Sequence, residues 1–80
     1  MYLAVKSVTS ITNYNLILTF ENGEQRQFDM NPFLDKGIFR ELRDIAKFNS
    51  VRIRFDTIEW DNEADLDPEI LYKDSVCIND

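Results

Sequence analysis

Eighty residues, 44% hydrophobic and 12% aromatic with only two glycines and two prolines, describe one folded domain spanning 1–80 rather than a disordered or fibrous chain. A domain of this size buries a modest share of its surface, which leaves little room for a large internal active site. Its net charge of −6 is uneven: residues 1–55 carry eight Lys or Arg against six Asp or Glu, and residues 56–80 carry one Lys against nine acids, so the acidic C-terminal third repels phosphate backbones.

In chain order, Met1 to Lys6 lacks the charged start and long apolar run of a secretory signal, and no later run approaches the ~20 apolar residues of a membrane span. The segment from Leu3 to Met30 is rich in β-branched and aromatic residues and is broken at Asn13 and at Asn22-Gly23, which predicts a three-stranded meander. Parity selects its second turn. A two-residue Asn22-Gly23 loop would pair Ile17 with Phe28 and Leu18 with Gln27, splitting the apolar set between the faces. A three-residue loop, Glu21-Asn22-Gly23, with a left-handed glycine in a bulge, pairs Leu16 with Phe28 and Phe20 with Glu24 and keeps that set together.

After the turn-rich Asn31 to Gly37, Ile38, Leu42 and Ile45 recur at near-helical spacing with Phe39 and Ala46 beside them, and Arg40, Glu41, Arg43 and Asp44 fill the other face. One short amphipathic helix over Ile38 to Lys47, covering a sheet, is expected. Val51, Ile53 and Phe55 then alternate with Arg52 and Arg54. A hairpin turning at Asp56-Thr57 would place Phe55 opposite Ile58, Ile53 opposite Trp60, and Arg54 opposite Glu59. Asp67-Pro68-Glu69 carries a helix start: a capping carboxylate, proline at the first position and an acid at the positive end of the dipole. Ser75 to Ile78 reads as a short edge strand or as a tail seeking a partner. The predicted class is therefore α+β and mainly antiparallel, with a meander, one amphipathic helix, a C-terminal hairpin and one short helical turn.

Candidate chemistry is sparse. Cys77 is the only cysteine and there is no histidine, so neither an intramolecular disulfide nor a zinc site is open to the chain, and a reducing, cytoplasmic setting fits. Asp61, Glu63, Asp65, Asp67 and Glu69 alternate like oxygen ligands. A calcium loop starting at Asp61 would nevertheless need glycine where Leu66 stands and glutamate where Tyr72 stands. Metal and cofactor sites are therefore not expected. No histidine base, glycine-rich phosphate cradle or recognisable nucleophile motif is present, and no enzyme activity is expected either. Trp60 and Tyr72 read as core or core-edge residues, and Asn62 and Asp65 as turn residues tying backbone N–H groups.

The ending resembles that of a bacterial family, domain of unknown function 2442, roughly I-x-W-x-N-G-A-D-L-x-P-x-x-L-Y. Ile58, Trp60, Asn62, Ala64, Asp65, Leu66, Pro68, Leu71 and Tyr72 carry the match. Upstream, Phe20, Asn22 and Gly23, then Phe28 and Asp29, then Gly37, Phe39 and Leu42 are similar to its earlier elements, so the resemblance runs nearly the whole chain. Where the family commonly has glycine after the asparagine, Glu63 stands here, a residue that tolerates the left-handed region poorly. The resemblance implies a small α+β fold and no established catalytic activity. Some members resemble this module fused to a helix-turn-helix segment, and others are encoded beside small proteins in the manner of toxin–antitoxin pairs.

The expected role is thus a non-enzymatic protein-interaction module, antitoxin-like or regulatory, that meets a small basic protein. Its contact would be an exposed strand edge or the acidic turn, with Trp60, Asp61, Asn62, Asp65, Asp67 and Tyr72 as the motif residues concerned. The rival reading is a nucleic-acid-associated regulator using Arg40, Arg43, Lys47, Arg52 and Arg54 as a local basic patch. Symmetric dimerisation through an edge strand is open, though no residue pattern demands it.

Overall fold

In the computed structural model, which describes residues 3–79, the meander forms as parity requires; Met1, Tyr2 and Asp80, the ends of the expected domain, lie outside the described residues. Strands β1 (Val5–Ile11), β2 (Asn15–Phe20) and β3 (Gln25–Asp29) pair antiparallel, with Leu16 opposite Phe28 and Thr19 opposite Gln25. The Glu21-Asn22-Gly23 loop is closed by the Phe20 N–H on the Glu24 carbonyl and the Gly23 N–H on the Phe20 carbonyl, both 2.9 Å, with Gly23 at φ 89°. This is the three-residue bulged hairpin, in which glycine takes the left-handed position at little steric cost. Asn13 takes the first turn at φ 60°.

The expected single helix over Ile38 to Lys47 is instead two pieces: a 3-10 segment, Gly37–Arg43, and a one-turn helix α1 (Ile45–Phe48). Asp44 separates them. Its backbone is extended (φ −72°, ψ 116°), and its carboxylate accepts the Ala46 N–H at 3.0 Å, so one residue ends the first piece and caps the second. A 3-10 turn repeats every three residues, so Phe39 and Leu42 face the core together, whereas Ile38 and Ile45 are exposed. The expected stripe loses both isoleucines, and Phe48, just beyond its end, becomes a core residue.

Strands β4 (Arg52–Arg54), β5 (Thr57–Glu59) and β6 (Asp65–Leu66) form a separate three-stranded sheet. The β4–β5 hairpin turns at Phe55-Asp56, not at Asp56-Thr57: Ile53 faces Ile58, Arg52 faces Glu59 and Arg54 faces Thr57. Both turn residues are left-handed, at φ 49° and 70°, the geometry a two-residue hairpin loop demands. The Asp56 carbonyl also accepts the Val5 N–H at 2.9 Å, tying this turn to β1. The shift of two residues keeps every side chain on its expected face, yet it moves Phe55 out of the strand to 83% exposure.

Helix α2 (Pro68–Lys73) starts as predicted, with Asp67 accepting the Glu69 N–H at 2.9 Å, and it runs beyond a single turn. Strand β7 (Val76–Cys77) then pairs with β3, so the first sheet has the order β1-β2-β3-β7. Ser75 to Ile78 is thus an edge strand. One core joins the two sheets: Leu16, Leu18, Phe20 and Phe28 from the first, Ile58 and Leu66 from the second, with Trp60, Leu42, Phe48 and Leu71. No described helix is long and apolar enough to cross a membrane.

Candidate functional site

The stretch from Trp60 to Tyr72 is built on a copy of the first hairpin turn. The Trp60 N–H donates to the Ala64 carbonyl and the Glu63 N–H to the Trp60 carbonyl, both at 2.9 Å, and Glu63 takes φ 69°. Asn62 Oδ1 accepts the Ala64 N–H at 3.0 Å, as Asn22 Oδ1 accepts the Glu24 N–H at 3.1 Å. Aromatic, acid, Asn, left-handed residue is the shared local code: Phe20-Glu21-Asn22-Gly23 and Trp60-Asp61-Asn62-Glu63. Glu63 therefore takes the left-handed position that Gly23 holds in the first hairpin. Asn62 Nδ2 also reaches the Ile38 carbonyl and Glu41 Oε1, each at 3.3 Å, docking the turn on the 3-10 segment.

Trp60 is fully buried, and its indole N–H donates to the Phe48 carbonyl at 3.0 Å, a satisfied polar tip on a large apolar body. Asp61 is exposed; its carboxylate accepts from Arg52 Nη1 at 2.6 Å, and its N–H donates to Ser50 Oγ at 3.1 Å. Asp65 is exposed and pairs through its backbone with Glu59, and its carboxylate accepts no turn N–H among the described residues. The structure therefore brings Asp61, Asp65 and Asp67 onto one ribbon without converging them. Among the described residues no three Asp, Glu or Cys side chains gather as a metal set. Glu63, Asp65, Asp67 and Glu69 are all exposed, and none makes an ion pair among the described residues.

Tyr72 belongs to a cluster that local sequence patterns do not reveal. Its hydroxyl donates to Glu24 Oε2 at 2.7 Å, and the Arg26 guanidinium lies 4.3 Å from the ring centroid. Arg26 also donates to Glu24 Oε1 (2.8 Å), to Ser75 Oγ (2.7 Å) and to the Ser75 carbonyl (2.9 Å). Four polar groups separated by up to 51 positions thus fasten the α2–β7 junction to the first hairpin. The Tyr72 hydroxyl, followed by the Asn22 amide, holds the Glu24 carboxyl below its usual range, and the bond to Glu24 pushes the Tyr72 hydroxyl up. The only sequence signal for this cluster was a charged pair at the start of a strand, Glu24 just before β3 and Arg26 within it, on the face that otherwise lines the core.

Of the five residues of the expected basic patch, three are matched by acids. Arg43 pairs with Asp35, Arg52 with Glu59 (3.2 Å) and Asp61 (2.6 Å), and Arg54 with Glu59 (3.4 Å) while stacking on Phe55. Arg40 and Lys47 are exposed. Surface hollows are shallow: one of about 410 Å³ is lined by Ser10, Ile11, Thr12, Asn13, Ile45 and Asn49 and holds no ionisable group. Another of about 320 Å³ contains Asp29 and Asp74 but no cation.

The profile of the family described as "Protein of unknown function (DUF2442)" matches residues 5–76. The chain belongs to this family. No curated protein and no solved structure matches it. The DUF2442 ending can now be explained residue by residue in this chain. Ile58, Trp60, Ala64, Leu66 and Leu71 are buried, Asn62 bonds the turn and Pro68 opens α2. These motif positions are those that build the second sheet and α2.

Proposed function

We propose that this DUF2442 chain is a non-enzymatic protein-interaction module, the antitoxin-like or regulatory member of a small bacterial protein pair, acting in the cytoplasm. One observation carries the reading: the acids of the 63–69 ribbon stand exposed on a hairpin and a capped helix, with no cation among the described residues against them. Rigidly displayed, uncompensated carboxylates steer a basic partner toward contact and disfavour an acidic one. Nucleic-acid binding through Arg40, Arg43, Lys47, Arg52 and Arg54 has less support, because Arg43, Arg52 and Arg54 already face carboxylates.

The test is affinity capture of the tagged chain from its native host, followed by binding measurements with the purified partner. A stoichiometric basic protein is expected, with affinity that falls as salt rises and falls further in the triple variant Glu63→Gln, Asp65→Asn, Glu69→Gln, which spares the Asp67 cap. Binding that ignores both salt and the triple variant, or capture of nucleic acid instead, would overturn the reading.

A further inference from the structure

Asn22-Gly23 is the only asparagine–glycine step in the chain, and both residues stand exposed at the tip of the first hairpin. Asparagine is chemically labile. The backbone nitrogen of the residue after it can attack its side-chain Cγ, and a following glycine has no Cβ to hinder that approach. Among the described residues, nothing lies within 4 Å of the place a Cβ would take at Gly23. The second turn is an internal comparison: Asn62 makes the same side-chain bond to the N–H two residues on, at 3.0 Å against 3.1 Å for Asn22, but Glu63 follows it with a Cβ beside the attacking nitrogen. The folded first turn holds its own pair apart. The Gly23 N–H donates to the Phe20 carbonyl at 2.9 Å, and Asn22 Nδ2 donates to Glu24 Oε2 at 2.6 Å. That same oxygen accepts the Tyr72 hydroxyl at 2.7 Å, and Arg26 holds the other carboxylate oxygen at 2.8 Å.

We propose that Asn22 is a deamidation site gated by the cluster of Glu24, Arg26 and Tyr72, and that conversion there unfastens the α2–β7 junction from the hairpin. The Gly23 nitrogen gives up its proton and bonds to Asn22 Cγ; the Cγ–Nδ2 bond breaks, and ammonia leaves with that proton. Water then adds to either carbonyl of the cyclic imide and opens it, to aspartate or to isoaspartate. The net change is one water consumed and one ammonia released, with no oxidant or reductant. Neither product rebuilds the turn. Aspartate sets a carboxylate against Glu24 at the former 2.6 Å contact, where like charges repel. Isoaspartate adds a methylene to the main chain of a three-residue loop whose length sets the Leu16–Phe28 register. Both displace the Glu24 carboxylate from the position that holds Tyr72 and Arg26, and both add a negative charge to a chain already at −6. Because reaction requires the tip to open locally, the cluster sets its rate. The inference is independent of the acidic ribbon.

The test holds the full chain in warm, mildly alkaline buffer, separates charge variants by anion exchange, and follows Asn22 and Asn62 by peptide mapping with an isoaspartate assay. Conversion is expected at Asn22 and not at Asn62, about tenfold or more slower in the native chain than in the chain unfolded by guanidinium chloride. Tyr72→Phe should speed the native reaction about fivefold and leave the unfolded rate unchanged. Should that variant misfold, Glu24→Gln reads the same gate. Asp44→Ala, which removes the distant α1 cap, should leave both rates unchanged, and Glu63→Gly should make Asn62 a second site. In the purified converted protein, the Ile78 N–H, bonded to the Gln25 carbonyl at 2.8 Å, should exchange its hydrogen about tenfold faster. Equal native and unfolded rates, wild-type rates in both Tyr72→Phe and Glu24→Gln, or equal acceleration by Asp44→Ala would overturn the proposal. So would conversion of Asn62 as fast as Asn22 in the wild-type chain, an unreacted Asn62 in Glu63→Gly, or unchanged Ile78 exchange after conversion.

Discussion

Replacing Glu63 by glycine is expected to stabilise the protein. Glu63 sits at φ 69° on an exposed turn, in the place that Gly23 holds in the first hairpin. An L-residue in this region gives up about 1–2 kcal/mol to Cβ contacts with the backbone. Glycine removes that cost but gives the unfolded chain extra freedom worth about 0.5–1 kcal/mol. The difference leaves a net gain of about 0.5–1 kcal/mol, a rise in Tm of about 2–8 °C for a domain of this length. Both backbone bonds that close the turn, at 2.9 Å, persist in the variant. Thermal unfolding followed by the fluorescence of Trp60, the sole tryptophan and fully buried, reads the change. Two controls separate backbone from charge: Glu63→Gln removes the carboxylate but keeps Cβ and should shift stability by no more than about 0.5 kcal/mol, while Glu63→Asn should fall between Gln and Gly. A Gly variant no more stable than wild type, or a Gln variant as stable as the Gly variant, would refute the strain argument.

Truncating Trp60 to alanine empties the largest fully buried side chain and strips the Phe48 carbonyl of its donor; a loss of about 3–5 kcal/mol in urea titrations monitored by circular dichroism is expected, and a loss under about 1 kcal/mol would contradict the burial. Asp67→Ala removes the acceptor for the Glu69 N–H and should cost about 1 kcal/mol, with Asp67→Asn closer to neutral; equal losses in both would show that the cap bond is not what matters. The Tyr72–Glu24 bond gives a two-sided pH dependence. Glu24 is held below its ordinary range, so its contribution is present above about pH 4.3 and lost as pH falls through the lowered native value. Tyr72 is raised, so its contribution is present below about pH 10 and lost as pH rises through the raised native value. The stability difference between wild type and Tyr72→Phe should therefore be flat between these limits and shrink on both sides; a difference that stays constant into acid and alkali would exclude the bond as its source.

Some of this architecture could be read directly along the chain because the forces that set it are local. Leu16, Leu18, Phe20 and Phe28 keep to one face only if Glu21-Asn22-Gly23 is the loop, so side-chain parity and one left-handed glycine determined that register. The Asp67 cap and Pro68 fall within one turn of the helix they start, and they opened α2 as expected. The C-terminal hairpin was different: registers two residues apart put identical side chains on identical faces, so the apolar pattern could not choose between them. The structure turns at Phe55-Asp56 and ties that turn to Val5, a contact spanning 51 positions. The spacing of Ile38, Leu42 and Ile45 likewise suggested one helix, whereas Asp44 satisfies the Ala46 N–H and the 3-10 repeat turns Ile38 and Ile45 outward. The joining of Glu24 and Arg26 to Tyr72 and Ser75, and the matching of Arg52 and Arg54 by acids, depend on which strands lie side by side. Pairing between distant segments arises only when one buried core must be closed, and side-chain periodicity within a segment carries no record of it.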